Sequence, residues 1–328
     1  MTDVFSHPWL GGLFNDPATQ MIWSPDHQIA HMLAFEAALT RALASTGKAP
    51  IEVAEKIAEK IQAFTPDMKG LRAGTGRDGV VVPALVRQLK SLAGDYPEVV
   101  HSGATSQDVI DTALVLTLRD NSLQLHQSLT DVQAGIQSLV IKFGTNEMMG
   151  RTRNQAAIPI HVVDRLTSWS APLERHSIRL TNLRKTSEVL QLGGAVGTNV
   201  AFGQEMETIV QSVANQLDLS VASQVWHTTR DKLTDYANLL SMITGSLGKM
   251  GQDICLMSQQ GIDTIRINGG GSSSAMPNKQ NPVLAELLVS LARFNATQVT
   301  GMHQAIVHEQ ERSGAAWSLE WMILPQMA

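Results

Sequence analysis

The chain has 328 residues, of which 17% are charged and 43% are hydrophobic, and its formal net charge is -5. This balance excludes the basic surface that nucleic-acid binding requires, and the single cysteine, Cys255, excludes an internal disulfide. The opening MTDVFSHPWLGG lacks a signal-peptide pattern, and no uncharged apolar run approaches the length of about 18 residues that a membrane span needs. We therefore expect a cytoplasmic protein with neither a nucleic-acid partner nor a membrane partner.

The first third of the chain predicts a small helical domain over residues 1–104. An irregular arm rich in proline and glycine comes first, to about residue 25. Apolar residues then recur at intervals of three and four from Asp26 to about Ser45, which predicts an amphipathic helix. A second helix follows Pro50, and a shorter helical piece lies around Val82 to Leu92.

The remainder, residues 105–328, predicts a central domain of long helices. One helix begins near Thr105 and runs to about Phe143, and another begins at about Pro159. Further helical stretches cover residues 204–262 and follow Pro282, so the predicted fold class is all-α, a long-helix bundle with a small helical N-terminal domain. Because so few residues are charged, these helices are expected to be buried on more than one side and to contact partner subunits.

The segment HSGATSQDVIDTA, from His101 to Ala113, has the form of a capped helix start. The hydroxyl of Thr105 or Ser106 can cap the helix. A helix N-terminus also offers free N-H groups to an anion, so the same pair can bind a substrate carboxylate, and the two roles can coexist. His101 by itself is compatible with a structural role.

A polar loop with the sequence GGGSSSAMPNKQNP occupies residues 269–282, directly before a long apolar-periodic segment. The glycines allow close approach to a ligand, and the serines, Lys279 and Asn281 can hold carboxylates. A flexible interhelical linker is the alternative interpretation. A phosphate-binding loop is disfavoured because no Gly-Lys-Ser/Thr follows the glycines.

SSSAMPNKQNP resembles the signature loop of the fumarase/aspartase superfamily, usually GSSxMPxKxN, with Ser272 in place of the glycine. The resemblance implies that Ser273 transfers a proton and that Lys279 and Asn281 hold a substrate carboxylate. HSGATSQDVIDTA is similar to the HxGxTSxDxxDTA segment of the same superfamily, which implies that His101, Thr105 and Ser106 line the active site. It also implies a fumarase/aspartase-like bundle.

A third segment, GRTRNQAAIP, resembles the superfamily's GRTHxxxAxP region, but Arg153 replaces the histidine. Superfamily members that expel an amine or hydroxide need a proton donor for the leaving group. A carboxylate can leave unprotonated, since the pKa of a carboxylic acid is about 4. Arg153 can then position a carboxylate, and Arg151 and Gln155 are predicted to bind substrate beside it. The alternative is that Arg153 marks an inactive site or forms a structural ion pair.

The segment HEQER, from His308 to Arg312, differs from a zinc-protease motif at one position, because Arg312 replaces the second histidine. His303 and His308 are five apart and do not share a helix face, so no metal and no cofactor are predicted. HEQERSGAAWSLEW resembles a superfamily segment, which makes Arg312 a candidate carboxylate partner.

Together the resemblances imply a homotetramer whose active sites combine residues of three subunits and act on a small polycarboxylate. They favour the branch in which a carboxylate adds within one molecule, a cycloisomerase. Two alternatives stay open: a C-N lyase of the same superfamily, and a non-enzymatic structural protein of the crystallin kind. Superfamily members usually continue into a third helical domain, which we expect to be absent or truncated here.

Overall fold

The computed structural model of the chain describes residues 4–276 and 279–328. Helices dominate the described residues, which confirms the predicted all-α class. The described residues form twelve α-helices, namely α1 Gly11–Phe14, α2 Pro17–Ile22, α3 Pro25–Ala44, α4 Ile51–Gln62, α5 Met68–Asp78, α6 Val82–Lys90, α7 Ser106–Phe143, α8 Val162–Ser187, α9 Met206–Gln216, α10 Asp231–Met257, α11 Val283–Ala305 and α12 Ala315–Met327. The same part of the chain forms four short strands, namely β1 Glu147–Thr152, β2 Gln155–His161, β3 Val189–Leu190 and β4 Ser220–Val221.

The chain divides into two compact units. One comprises the described part of Met1–Ser122 together with Arg184–Arg230 and His308–Gly314, and the other comprises Leu123–Leu183, Asp231–Val307 and Ala315–Ala328. Helix α7 contributes to both units. The boundary between residues 104 and 105 stays a prediction.

Helix α3 organises the first unit. It begins where the Ser24 hydroxyl accepts a hydrogen bond from the His27 N-H at 3.2 Å, and Pro25 fits the first turn because its missing N-H would have no partner there. Its apolar face includes Phe35 and Leu39, which are fully buried. Helices α4 and α9 both contact α3. Burial of each such side chain contributes about 1.5–3 kcal/mol to folding.

The second unit is built on the packing of α10 against α11, and α12 contacts both helices. Side-chain hydrogen bonds to helix carbonyls fix their register. The Thr234 hydroxyl donates to the carbonyl of Met302 at 3.3 Å, and the Asn295 amide donates to the carbonyl of Met327 at 3.0 Å. Trp317 and Trp321 of α12 make an edge-to-face contact at 4.7 Å, as their spacing of four predicts.

Strands β1 and β2 form an antiparallel hairpin where the sequence predicts the start of a long helix. Pro159 lies in β2 opposite Met149, and the helix, α8, begins only at Val162. The turn consists of Arg153 and Asn154, which have φ of 49° and 64°, the left-handed pair of a two-residue hairpin. The predicted helix start was therefore wrong, because a proline suits an extended strand as well as a first helical turn.

In the part of the chain that the structure describes, no helix is long and apolar enough to cross a membrane.

Candidate active site

The N-terminus of α7 carries the first group of predicted site residues. The N-H of Thr105 donates to Asp108 Oδ2 at 2.9 Å, which is one half of a capping box. The Thr105 hydroxyl accepts a hydrogen bond from Arg312 Nη1 at 2.9 Å. The hydroxyl of half-buried Ser106 has no hydrogen-bond partner among the described residues, so it can bind a ligand.

Asp108 joins three segments of the chain behind this helix start. Its fully buried carboxylate accepts four hydrogen bonds, the one from Thr105 and three from Gly193 N-H at 2.9 Å, Gly194 N-H at 2.9 Å and His227 Nε2 at 2.7 Å. A buried carboxylate with this many donors is well satisfied. It therefore fixes the helix start against the glycine-rich loop that contains Gly193 and Gly194.

Gly194 makes this close approach possible. Its φ is +69°, and a Cβ at this position would lie 2.7 Å from the carbonyl oxygen of Gly103. Gly103 is similarly constrained, because its φ is +83° and a Cβ there would lie 2.3 Å from the ring of Phe202. The two loops can pack together only because both positions lack a side chain.

Arg312 is held against the same helix start. Its Nε donates to Gln107 Oε1 at 3.2 Å and its Nη2 to the carbonyl of Ala195 at 3.0 Å, besides the bond to Thr105. A guanidinium has five N-H groups, so two remain for a ligand. The structure thus brings together Thr105 and Arg312, which are far apart in the sequence.

His101 is paired with a carboxylate that sequence analysis missed. Its Nδ1 lies 2.6 Å from Oε1 of Glu36, which is fully buried in α3. Burial is the largest effect on the pKa of His101 and lowers it, but the charge and hydrogen bond of Glu36, with a contribution from Asp108, outweigh burial and raise the pKa above its ordinary value. The pairing favours an imidazolium, which suits an anionic substrate.

Arg151, Arg153 and Gln155 all lie on the β1–β2 hairpin and are exposed. Within the described residues, none of the three side chains has a hydrogen-bond or ion-pair partner. For Arg153 this disfavours the alternative of a structural ion pair in the isolated chain. Its left-handed backbone costs about 1–2 kcal/mol relative to an ordinary conformation.

The signature loop is closed at its base. Gly271 and Asn281 exchange two backbone hydrogen bonds, each of 2.9 Å. Within the loop, Ser273 Oγ accepts hydrogen bonds from the N-H groups of Ala275 at 3.3 Å and Met276 at 3.2 Å. Two donors directed at one hydroxyl oxygen stabilise negative charge on it, which a proton-transferring serine requires.

Two further signature-loop residues with predicted roles are accessible. Lys279 is exposed, and Asn281 is half-buried at the end of the loop. Pro277 and Asn278 of the motif lie outside the described residues.

The predicted residues thus form three groups. The structure joins Thr105, Ser106, Arg312 and His101 in the first unit through Asp108, Gln107 and the chain around them. The hairpin group and the loop group belong to the second unit. Glu36 could have been found from the sequence, since it is the one carboxylate among the apolar positions of α3 between Met32 and Leu43.

A cavity of about 480 Å³ borders the glycine-rich loop, but it is a separate feature. Its polar lining includes Gln191, Asn199, Glu207 and Gln211. None of the predicted site residues lines it, so it is not assigned to the active site.

Comparison with known proteins defines the class of this chain. A family model described as a lyase matches residues 7–301. The chain therefore belongs to this lyase family, within the fumarase/aspartase superfamily that its motifs resemble.

The chain is also similar to individual named proteins. The chain is 36% identical over 321 residues to 3-carboxy-cis,cis-muconate cycloisomerase of Pseudomonas putida, covering 96% of this chain and 76% of that protein. It is 34% identical over 334 residues to the protein of the same name from Pseudomonas aeruginosa, covering 100% of this chain and 73% of the relative. The crystal structure of 3-carboxy-cis,cis-muconate lactonizing enzyme from Pseudomonas putida superposes with a TM-score of 0.89 at 35% identity, covering 98% of this chain and 73% of that one.

Proposed function

We propose that the protein is an enzyme, a cycloisomerase that converts 3-carboxy-cis,cis-muconate into 4-carboxymuconolactone. The observation that carries the proposal is the 36% identity, over nearly the whole chain, to an enzyme with this name. Arg153, where the superfamily usually has a histidine, agrees with a reaction whose nucleophile is a carboxylate.

The reaction is an intramolecular conjugate addition. One substrate carboxylate oxygen forms a bond to a double-bond carbon, and electron density moves onto the neighbouring carboxylate as an aci-carboxylate. A proton then adds to the adjacent carbon, and the lactone ring is complete. No group leaves, so atoms and charge balance without a redox partner or a cofactor.

Each group of site residues has a role in this scheme. Arg153, with Arg151 and Gln155, positions the attacking carboxylate by charge-assisted hydrogen bonds. Thr105, Ser106, Lys279 and Asn281 stabilise the charge that gathers on the aci-carboxylate. Arg312 and the His101 imidazolium add positive charge beside Thr105.

Ser273 delivers the proton to carbon, and removes it in the reverse direction. A serine hydroxyl is a weak acid and a weak base, so the oxygen left after proton delivery must be stabilised. The N-H groups of Ala275 and Met276 are placed to do this, at 3.3 Å and 3.2 Å from Ser273 Oγ.

The test is the loss of the ultraviolet diene absorbance of 3-carboxymuconate on adding purified protein. We expect turnover by the wild type and a loss of about 10²–10⁴-fold in kcat for Ser273→Ala, the usual range for removing a general acid or base. Ser274→Ala is the matched control, since it removes a neighbouring hydroxyl, and it should retain activity. Unchanged turnover in Ser273→Ala would refute the role of that serine.

Parallel assays distinguish the other functions. Activity on adenylosuccinate or argininosuccinate, without activity on 3-carboxymuconate, would identify a C-N lyase. A folded protein inactive on all three would support a structural, crystallin-like role.

The proposal includes a homotetramer with active sites shared between subunits. Large apolar side chains on the helices of the second unit support it, since Ile141 of α7 is 79% exposed, Leu284 of α11 73% and Ile178 of α8 62% in the isolated chain. Apolar surface of this kind marks protein contacts.

The place of the reaction and the domain division are further parts of the proposal. The reaction belongs to protocatechuate breakdown in the β-ketoadipate pathway and takes place in the cytoplasm. The domains are a helical N-terminal domain over residues 1–104 and a central long-helix domain over residues 105–328.

A further inference from the structure

Two histidines and an aspartate converge in the first unit, apart from the residues assigned to catalysis. His27 and His31 are one turn apart on α3, and their Nε2 atoms lie 2.9 Å and 3.0 Å from the same oxygen, Oδ2 of Asp120 in α7. The three atoms all lie within 4.8 Å of one another. The proposed reaction uses none of these side chains.

We propose that His27, His31 and Asp120 bind one divalent cation of the zinc class. Two imidazoles and one carboxylate are donors that Zn²⁺ accepts, whereas Mg²⁺ and Ca²⁺ prefer oxygen ligands alone. The spacing of four residues places both histidines on one helix face. The cation takes the place of the hydrogen bonds between the two Nε2 atoms and Asp120 Oδ2, and each neutral imidazole then carries its proton on Nδ1.

The two nitrogen-oxygen distances need only a small adjustment to accept the ion, and the two Nε2 atoms lie within 4.8 Å of each other. Tetrahedral zinc ligands at about 2.0–2.2 Å from the metal lie roughly 3.3–3.5 Å from one another. The two nitrogen-oxygen distances here are 2.9 Å and 3.0 Å, so the carboxylate and the rings must separate by a few tenths of an ångström. Side-chain rotation at partly exposed residues supplies that movement.

The surroundings leave the site open to solvent on one side. The side chains of His27, His31 and Asp120 are 33%, 14% and 28% exposed. Three protein ligands therefore leave a fourth position for water. Arg119 lies beside the other carboxylate oxygen, with Nε 4.0 Å from Asp120 Oδ1, and leaves Oδ2 available.

The consequence of binding is a cross-link between α3 and α7. The same α3 carries Glu36, the partner of His101, and the same α7 begins directly after Thr105. A cation that binds only the folded chain raises its thermal stability.

The experiment is calorimetric titration of Zn²⁺ into the whole protein, freed of metal and of any purification tag. Co²⁺ serves as a spectroscopic probe, because its visible bands report the coordination geometry. We expect one ion per chain and a higher thermal midpoint with Zn²⁺. His31→Ala and Asp120→Asn should weaken binding by at least the roughly 10–100-fold that loss of a supporting residue costs a metal site.

His126→Ala is the control, because His126 is an exposed histidine on the same helix, α7, and this variant should bind Zn²⁺ like the wild type. Asp120→Asn retains the size and shape of the side chain, so it decides the result if His31→Ala fails to fold. Absence of stoichiometric binding by the wild type, or wild-type affinity in Asp120→Asn, would overturn the proposal.

Discussion

The His101–Glu36 pair makes stability depend on pH in a defined direction. The pKa of His101 is raised in the folded chain, so its pairing is fully present below the unfolded value of about 6.5 and is lost as pH rises through the folded value. We expect the wild type to lose stability between about pH 6.5 and the folded pKa, by about 1.4 kcal/mol for each unit of difference. Glu36→Gln, which removes the charge, should reduce this loss.

Urea unfolding at several pH values and one protein concentration measures the effect. Glu55→Gln is the control, because Glu55 is a half-exposed carboxylate paired with Arg41, and its removal should leave the pH dependence as in the wild type. Identical pH dependence in the wild type and Glu36→Gln would contradict the role of the pair.

The sequence predicts the residues that carry functional groups, but it does not reveal which buried residues hold them in place. His101, Thr105 and Arg312 were predicted, and the structure groups them. The residues that hold them, Glu36 and Asp108, were not assigned a site role, because a buried carboxylate is recognised by its partners, and all of these except the Thr105 N-H lie 65 to 119 positions away in the chain. Motifs specify residue types, whereas only folding brings distant donors together.

Among the elements, the β1–β2 hairpin is where substitutions are expected to change stability and activity in different directions. Arg153 and Asn154 both have left-handed backbones, so glycine at either position should stabilise the hairpin by about 1 kcal/mol. Arg153→Gly also removes the cation that we propose positions the attacking carboxylate. We expect kcat/KM to fall by about 10–100-fold, the effect of losing a charged hydrogen bond of roughly 1.5–3 kcal/mol.

Asn154→Gly is the matched control, since it relieves the neighbouring position and keeps the cation. Steady-state kinetics and thermal unfolding of both variants provide the comparison. Wild-type kinetics in Arg153→Gly would remove Arg153 from the site.

Element prediction succeeded where periodicity is strong and failed where it is weak. Helices α3 and α7 lie within a residue or two of their predicted ranges, and α4 follows Pro50 as predicted. Helix α5 was missed because Gly70, Gly74 and Gly76 lower its helix propensity. Packing requires Gly74, since a Cβ there would lie 2.5 Å from Ala84 Cβ. The hairpin was missed because the sequence of its strands lacks an alternating apolar pattern and its Arg-Asn turn lacks the usual glycine.

For the whole molecule, the proposed sharing of active sites between subunits predicts complementation between inactive variants. Ser273→Ala and Arg312→Ala place their defects in different segments. If each site takes the loop and Arg312 from different chains, random mixing into tetramers leaves about a quarter of the sites intact. The measurement is turnover of 3-carboxymuconate after the two variants are coexpressed or refolded together.

A mixture of Ser273→Ala and Lys279→Ala is the control, because every loop then carries one defect and no site is intact. Equal activity in both mixtures, or no recovery in the first, would show that each chain builds its own site.

The closed base of the signature loop also matters for protein engineering. Since Gly271 and Asn281 are joined by two main-chain hydrogen bonds, the two ends of the loop are held together. Substitutions between these two residues are therefore expected to change the chemistry of the loop while its ends and the start of α11 stay in place.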